Sequence, residues 1–90
     1  MAVKNGSDAI PTSVEARFDA DGGLVSLAFG WHGQRFAIAS WGRSWVTGDG
    51  VQQRQHFLVT TAGKEAFELT FAPLAQRWWV VRAGSRQIWV

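Results

Sequence analysis

Residues 29–38 read FGWHGQRFAI. Phe29, Trp31 and Phe36 crowd around Gly33, with His32 and Arg35 beside them. The stretch is either a ligand-gripping surface or the turn of a core hairpin, and period-two alternation decides for the hairpin. With Gly33 and Gln34 as the two central residues, Gly33 supplies the positive φ of a type II′ turn. Trp31 is then expected opposite Phe36, Phe29 opposite Ile38, and Leu27 opposite Ser40, giving one apolar stripe across two strands. The reverse face carries only Ala28, Gly30, Ala37 and Ala39. A strand face so bare marks sharp coiling or the close approach of another segment.

The alternation continues outward from this hairpin. Upstream, SVEARF places Val14, Ala16 and Phe18 on one face and Glu15 and Arg17 on the other, and DADGG turns the chain. LVSLAFGW then puts Val25, Leu27, Phe29 and Trp31 inward. Downstream, SWGRSWVTGDG (40–50) is interrupted by three glycines and is expected to be a loop carrying Trp41 and Trp45. QRQHFLVTT turns Phe57 and Val59 inward and His56, Leu58 and Thr60 outward. After the TAGK turn, EAFELTF buries Phe67, Leu69 and Phe71 and exposes Glu68 and Thr70. APLAQ is a further connection, and RWWVVR splits Trp78 and Val80 from Arg77, Trp79 and Val81. Gly84 and Ser85 turn the chain into a closing RQIWV strand.

No window of the chain keeps a helical spacing. Six to seven short strands joined by short turns predict an all-β fold, a single small antiparallel barrel or strongly curled sheet of SH3-like type. Residues 1–11, rich in small and polar types before Pro11, are expected to be a flexible leader, and 12–90 one all-β domain.

Ninety residues without cysteine must hold this fold by burial alone, and six Trp and six Phe make that feasible. Neither a secretory signal nor a membrane span is apparent, so a cytoplasmic protein that does not engage the membrane is expected. The net charge is only +2. It is uneven: residues 1–21 carry Lys4 and Arg17 against Asp8, Glu15, Asp19 and Asp21, a net −2, whereas residues 22–90 carry +4. That bias permits an anionic partner.

The blocks VEARF, LAFGWHGQRFAI, the loop tryptophan, RQHFLVTTAGKEAFELTF and QRWWVV resemble a small bacterial domain-of-unknown-function family. The resemblance spans about residues 12–83. Members of that family are typically encoded near, or fused to, accessory proteins of translesion DNA synthesis, mainly in high-GC bacteria. The resemblance implies a role in DNA damage tolerance by association and carries no catalytic residues. The chain departs from the family pattern at its end, where AGSRQIWV stands in place of a hydrophobic–Glu–Arg–Val–Trp finish.

Catalytic chemistry finds little material. There is no Cys and no serine in a nucleophile-elbow context, and TGDG lacks the lysine and length of a phosphate loop. His32 and His56 are expected to be solvated outer-face residues, neither with a partner at metal-ligand spacing. Glu65 and Glu68 fall on opposite faces of a strand. No enzyme activity, cofactor or metal is expected.

What remains is an aromatic and basic set outside the core stripe: Trp41, Arg43 and Trp45 in the glycine-rich loop, Arg77 and Trp79 on an outer strand face, and Arg54 with His56 nearby. Tryptophan interleaved with arginine suits a protein interface, where both are favoured anchors. It equally suits unpaired bases and phosphates of single-stranded nucleic acid. In a third reading, Trp41 and Trp45 fold back to plug one barrel end. The first predicts an interaction module for a polymerase or repair accessory, the second a weak, salt-sensitive nucleic-acid binder. The oligomeric state is left open by the sequence.

Overall fold

The computed structural model describes residues 9–83. Seven strands fill most of that range: β1 (Ile10–Thr12), β2 (Val14–Phe18), β3 (Leu24–Trp31), β4 (Gln34–Thr47), β5 (Arg54–Thr61), β6 (Ala66–Ala72) and β7 (Arg77–Arg82). The only helical element among the described residues is a single 3-10 turn at Gly50–Gln52. Among the described residues, no helix is long and apolar enough to cross a membrane.

The sheet order is β1-β7-β6-β5-β4-β3-β2, every neighbour antiparallel. β1 and β2 therefore stand at opposite edges, yet Ser13 alone separates them in the chain. A flat seven-stranded sheet cannot satisfy both conditions, because neighbouring strands lie about 4.8 Å apart. The sheet must curl until β1 returns beside the end of β3, which gives an all-β half-barrel, the expected strongly curled small antiparallel sheet.

The meeting point is Gly30. The Gly30 N–H lies within hydrogen-bond distance of the Ser13 carbonyl at 3.3 Å and the Thr12 hydroxyl oxygen at 3.2 Å, and that hydroxyl donates to the Gly30 carbonyl at 2.7 Å. A Cβ at position 30 would stand 3.3 Å from the Thr12 oxygen, so the bare position permits this approach. The close approach expected from the Ala/Gly face thus occurs on β3, where Ala28 is also fully buried, while Ala37 and Ala39 on β4 stay exposed. Over the same bare strip Glu15 and Arg35 reach from β2 and β4 to form a two-pronged ion pair at 2.6 and 2.9 Å. Hydrogen bonding to Arg35 holds the Glu15 carboxyl below its usual range. This contribution is present at neutral pH and disappears as pH falls through that lowered pKa.

The core is formed by Phe29, Val59, Phe67, Leu69 and Val80, with Ile10, Val14, Trp31, Phe36, Ile38, Phe57 and Trp78 packed around it. Phe67 is its centre, with ring centroids 4.9 Å from Phe29, 5.2 Å from Trp31 and 5.7 Å from Phe36. Fully burying each such side chain contributes roughly 1.5–3 kcal/mol.

Four sequence expectations are corrected here. The 29–38 hairpin turns at His32 and Gly33, both with positive φ (48° and 81°), so it is a type I′ turn rather than II′ at Gly33–Gln34. Phe29 consequently pairs with Phe36 and Trp31 with Gln34. The register moves by two residues, so every side chain keeps its expected face. Second, residues 40–47 are no loop but the second half of β4, paired with β5. Third, a register shift between Glu15 and Ala16 leaves Leu27 unpaired with β2, and Ser26 and Ala28 are buried where Val25 and Leu27 are only half-buried. Phe18 is left 72% exposed. Fourth, Ile10 and Pro11, assigned to the leader, pair with Val80 and Trp79. Residues 1–8 of that leader and the closing RQIWV strand lie outside the described residues.

Two substitutions test this packing. Thr12→Val removes the hydroxyl that ties β1 to β3 and should lower stability by about 1–2 kcal/mol in denaturant titration. The Ser26 hydroxyl is buried with no hydrogen-bond partner among the described residues. Ser26→Ala should therefore leave stability unchanged or raise it, whereas a loss above about 1 kcal/mol would mean the hydroxyl is bonded.

Candidate binding face

β4 carries two irregularities, and the second decides where the tryptophans point. Trp41 pairs with Val59 and Ser44 with Phe57, so three residues of β4 advance against two of β5. Trp41 and Trp45, four apart, would share a face in a regular strand. The bulge inserts one extra residue and puts them on opposite faces.

Trp41 stays on the side of its partner Val59 and donates its indole N–H to the Ser26 carbonyl at 2.7 Å, while remaining 52% exposed. Trp45 turns to the outer face and pairs with His56. Their rings stack at 5.2 Å with an interplanar angle of 6°.

From Trp45 the register carries one continuous outer row across five strands. Trp45 pairs with His56, His56 with Thr70, Thr70 with Trp79, and Trp79 with Pro11. The neighbouring row on one side holds Thr47, Arg54, Ala72 and Arg77, with Thr47 opposite Arg54 and Ala72 opposite Arg77. On the other side lie Leu58, Glu68 and Val81. Arg43 reaches the same face, its guanidinium carbon 5.3 Å from the Trp45 ring, and Arg54 stands 5.9 Å from the Trp79 ring.

His56 ties the middle of this face together. One ring nitrogen, Nδ1, lies 3.0 Å from Glu68 Oε2 and 3.3 Å from the Thr70 hydroxyl. The other, Nε2, is 2.8 Å from the Thr47 hydroxyl. Its side chain is only 15% exposed. The expectation of a solvated His56 is therefore corrected: it lies on the outer face, but its neighbours cover it. His32, in the hairpin turn, is exposed as expected.

The electrostatics of this face are one-sided. Of the six arginines among the described residues, Arg17, Arg35 and Arg82 are paired with Asp19, Glu15 and Glu65. The other three, Arg43, Arg54 and Arg77, have no carboxylate partner among the described residues, and all belong to this face. Glu68 is the only carboxylate on β4–β7, and its partner is His56. No group of three or more His, Asp or Glu that could hold a metal ion occurs among the described residues.

Five of the six candidate residues, Arg43, Trp45, Arg54, Arg77 and Trp79, thus come together, and Trp41 does not. Sequence reasoning placed His56 near this set and missed Thr70 and Pro11 as members of the row. Alternation showed that His56 and Thr70 point outward, but cross-strand register was needed to line them up with Trp79. An open cleft of about 370 Å³ between β1 and the β6–β7 connection is lined by Pro11–Val14 and Gln76–Trp78. Its Thr12 hydroxyl is already committed to Gly30.

Comparison with protein-family models, with curated proteins and with solved structures finds no match to this chain. His56→Ala removes the stack under Trp45 and leaves Glu68 unpaired, so stability should fall by about 1–3 kcal/mol. Tryptophan emission should shift in the same variant as Trp45 is released; an unchanged spectrum would contradict the stacked arrangement.

Proposed function

We propose that this chain is a non-enzymatic interaction module and that the outer face of β4–β7 engages its partner. The observation that carries this is the segregation of arginine. Every described arginine elsewhere has a carboxylate, and the three without one surround Trp45 and Trp79. A fold in need only of surface charge has no reason to collect its uncompensated guanidiniums beside its outer tryptophans. Such a set attracts an anionic partner and offers it flat, apolar contact area.

The resemblance to a family linked with translesion synthesis accessory proteins supplies the context: an accessory in DNA repair or damage tolerance. A protein partner from that machinery and single-stranded nucleic acid both carry the required negative charge. The half-buried tryptophans favour a partner that covers them, since aromatic and arginine anchors dominate interface energetics.

A triple variant, Arg54→Gln, Arg77→Gln and Trp79→Ser, tests the face. It should lose the partners that wild type retains in a pull-down from bacterial extract, run with and without nuclease, while its melting temperature stays within a few degrees of wild type. Retention of the same partners by the folded variant would show that binding occurs elsewhere.

A further inference from the structure

We propose that the ligand of this face is single-stranded nucleic acid running along the Trp45–His56–Thr70–Trp79 row, with its phosphates on the Arg54–Arg77 side. The proposal rests on the outer face being the partner surface and adds the ligand's class and orientation.

Geometry supplies the class. The row crosses β4 to β7, so Trp45 and Trp79 stand three strand spacings apart, roughly 14 Å. Between them lie His56 and Thr70. A track with aromatic rings at intervals suits unpaired bases, because every base has a face to stack whatever its identity. A duplex buries its base faces and cannot use the rings.

Charge supplies the orientation. Arg54 and Arg77 occupy one flanking row, separated only by Ala72, which is small and buried. The opposite flank holds Glu68. A sugar–phosphate backbone is drawn to the first flank and repelled from the second, which turns the bases across the aromatic row. In the free protein Arg54 lies over Trp79 and Arg43 over Trp45. A cation–π contact is weaker than a charge-assisted pair with phosphate, so a guanidinium can leave its ring for a phosphate as a base takes its place. Trp45 is held from behind by His56 and keeps its orientation through that exchange.

The test is fluorescence anisotropy with a labelled oligothymidylate of about 12 nucleotides over a series of salt concentrations. Wild type should bind at low salt and weaken steeply as salt rises. Arg54→Gln and Arg77→Gln should each reduce the slope of log K against log salt by about 0.7. Trp79→Ser should weaken binding roughly 5- to 100-fold with the slope unchanged. Trp79→Leu, which keeps apolar cover but no ring to stack, guards against a loss of folding and should weaken binding similarly. Arg82→Gln, outside the face, should change nothing. Equal binding of a duplex, or full affinity in Trp79→Leu, would overturn the single-strand proposal, and equal binding of polyglutamate would overturn it in favour of an anionic protein. If neither the oligonucleotide nor polyglutamate binds, the ligand class is wrong. The partner face itself falls only if the triple variant also keeps its pull-down partners.

Discussion

Ser13 is the one residue between strands that stand at opposite edges of a seven-stranded sheet. That covalent constraint forces the curl, and the rest of the architecture follows from it. The curl brings Thr12 against Gly30, encloses Phe67 among Phe29, Trp31 and Phe36, and leaves the convex side of β4–β7 turned outward. β4 has to serve both halves of the curled sheet, pairing with β3 through Gln34–Ala37 and with β5 through the remainder. Its bulges are where the strand changes direction, as expected of small barrels.

The same bulge has a chemical consequence. By adding one residue between Trp41 and Ser44 it delivers Trp45 to the outer face, beside His56 and in register with Trp79. Trp41 stays behind as a structural residue bonded to the β3 backbone. Architecture and candidate site therefore share one irregularity. A straight β4 would leave both tryptophans on one face and break the row.

Much of the fold was legible because period-two alternation survives wherever strands are regular. Phe57 and Val59, Phe67 and Leu69, and Trp78 and Val80 all point as their spacing predicts. Alternation fails at bulges, since one inserted residue reverses the phase. For that reason the inward set on β3 was misassigned around Leu27, and the second half of β4, with Gly42 between its tryptophans, resembled a loop. The hairpin at 29–38 was misplaced for another reason: His32 tolerates positive φ, so the turn could settle one residue earlier than the glycine suggested. Of the site, the composition was legible and the grouping was not. Which residues share a row depends on cross-strand register, and a single chain's alternation does not encode it.

The β4 bulge places Trp41 and Trp45 on opposite faces of the sheet. Nuclear Overhauser contacts in the assigned protein measure this directly. Contacts are expected from the Trp45 indole to the His56 ring, and from the Trp41 indole N–H to β3 around Ser26. Contacts from both tryptophans to the same face, with Trp45 against Phe57 and not His56, would contradict it.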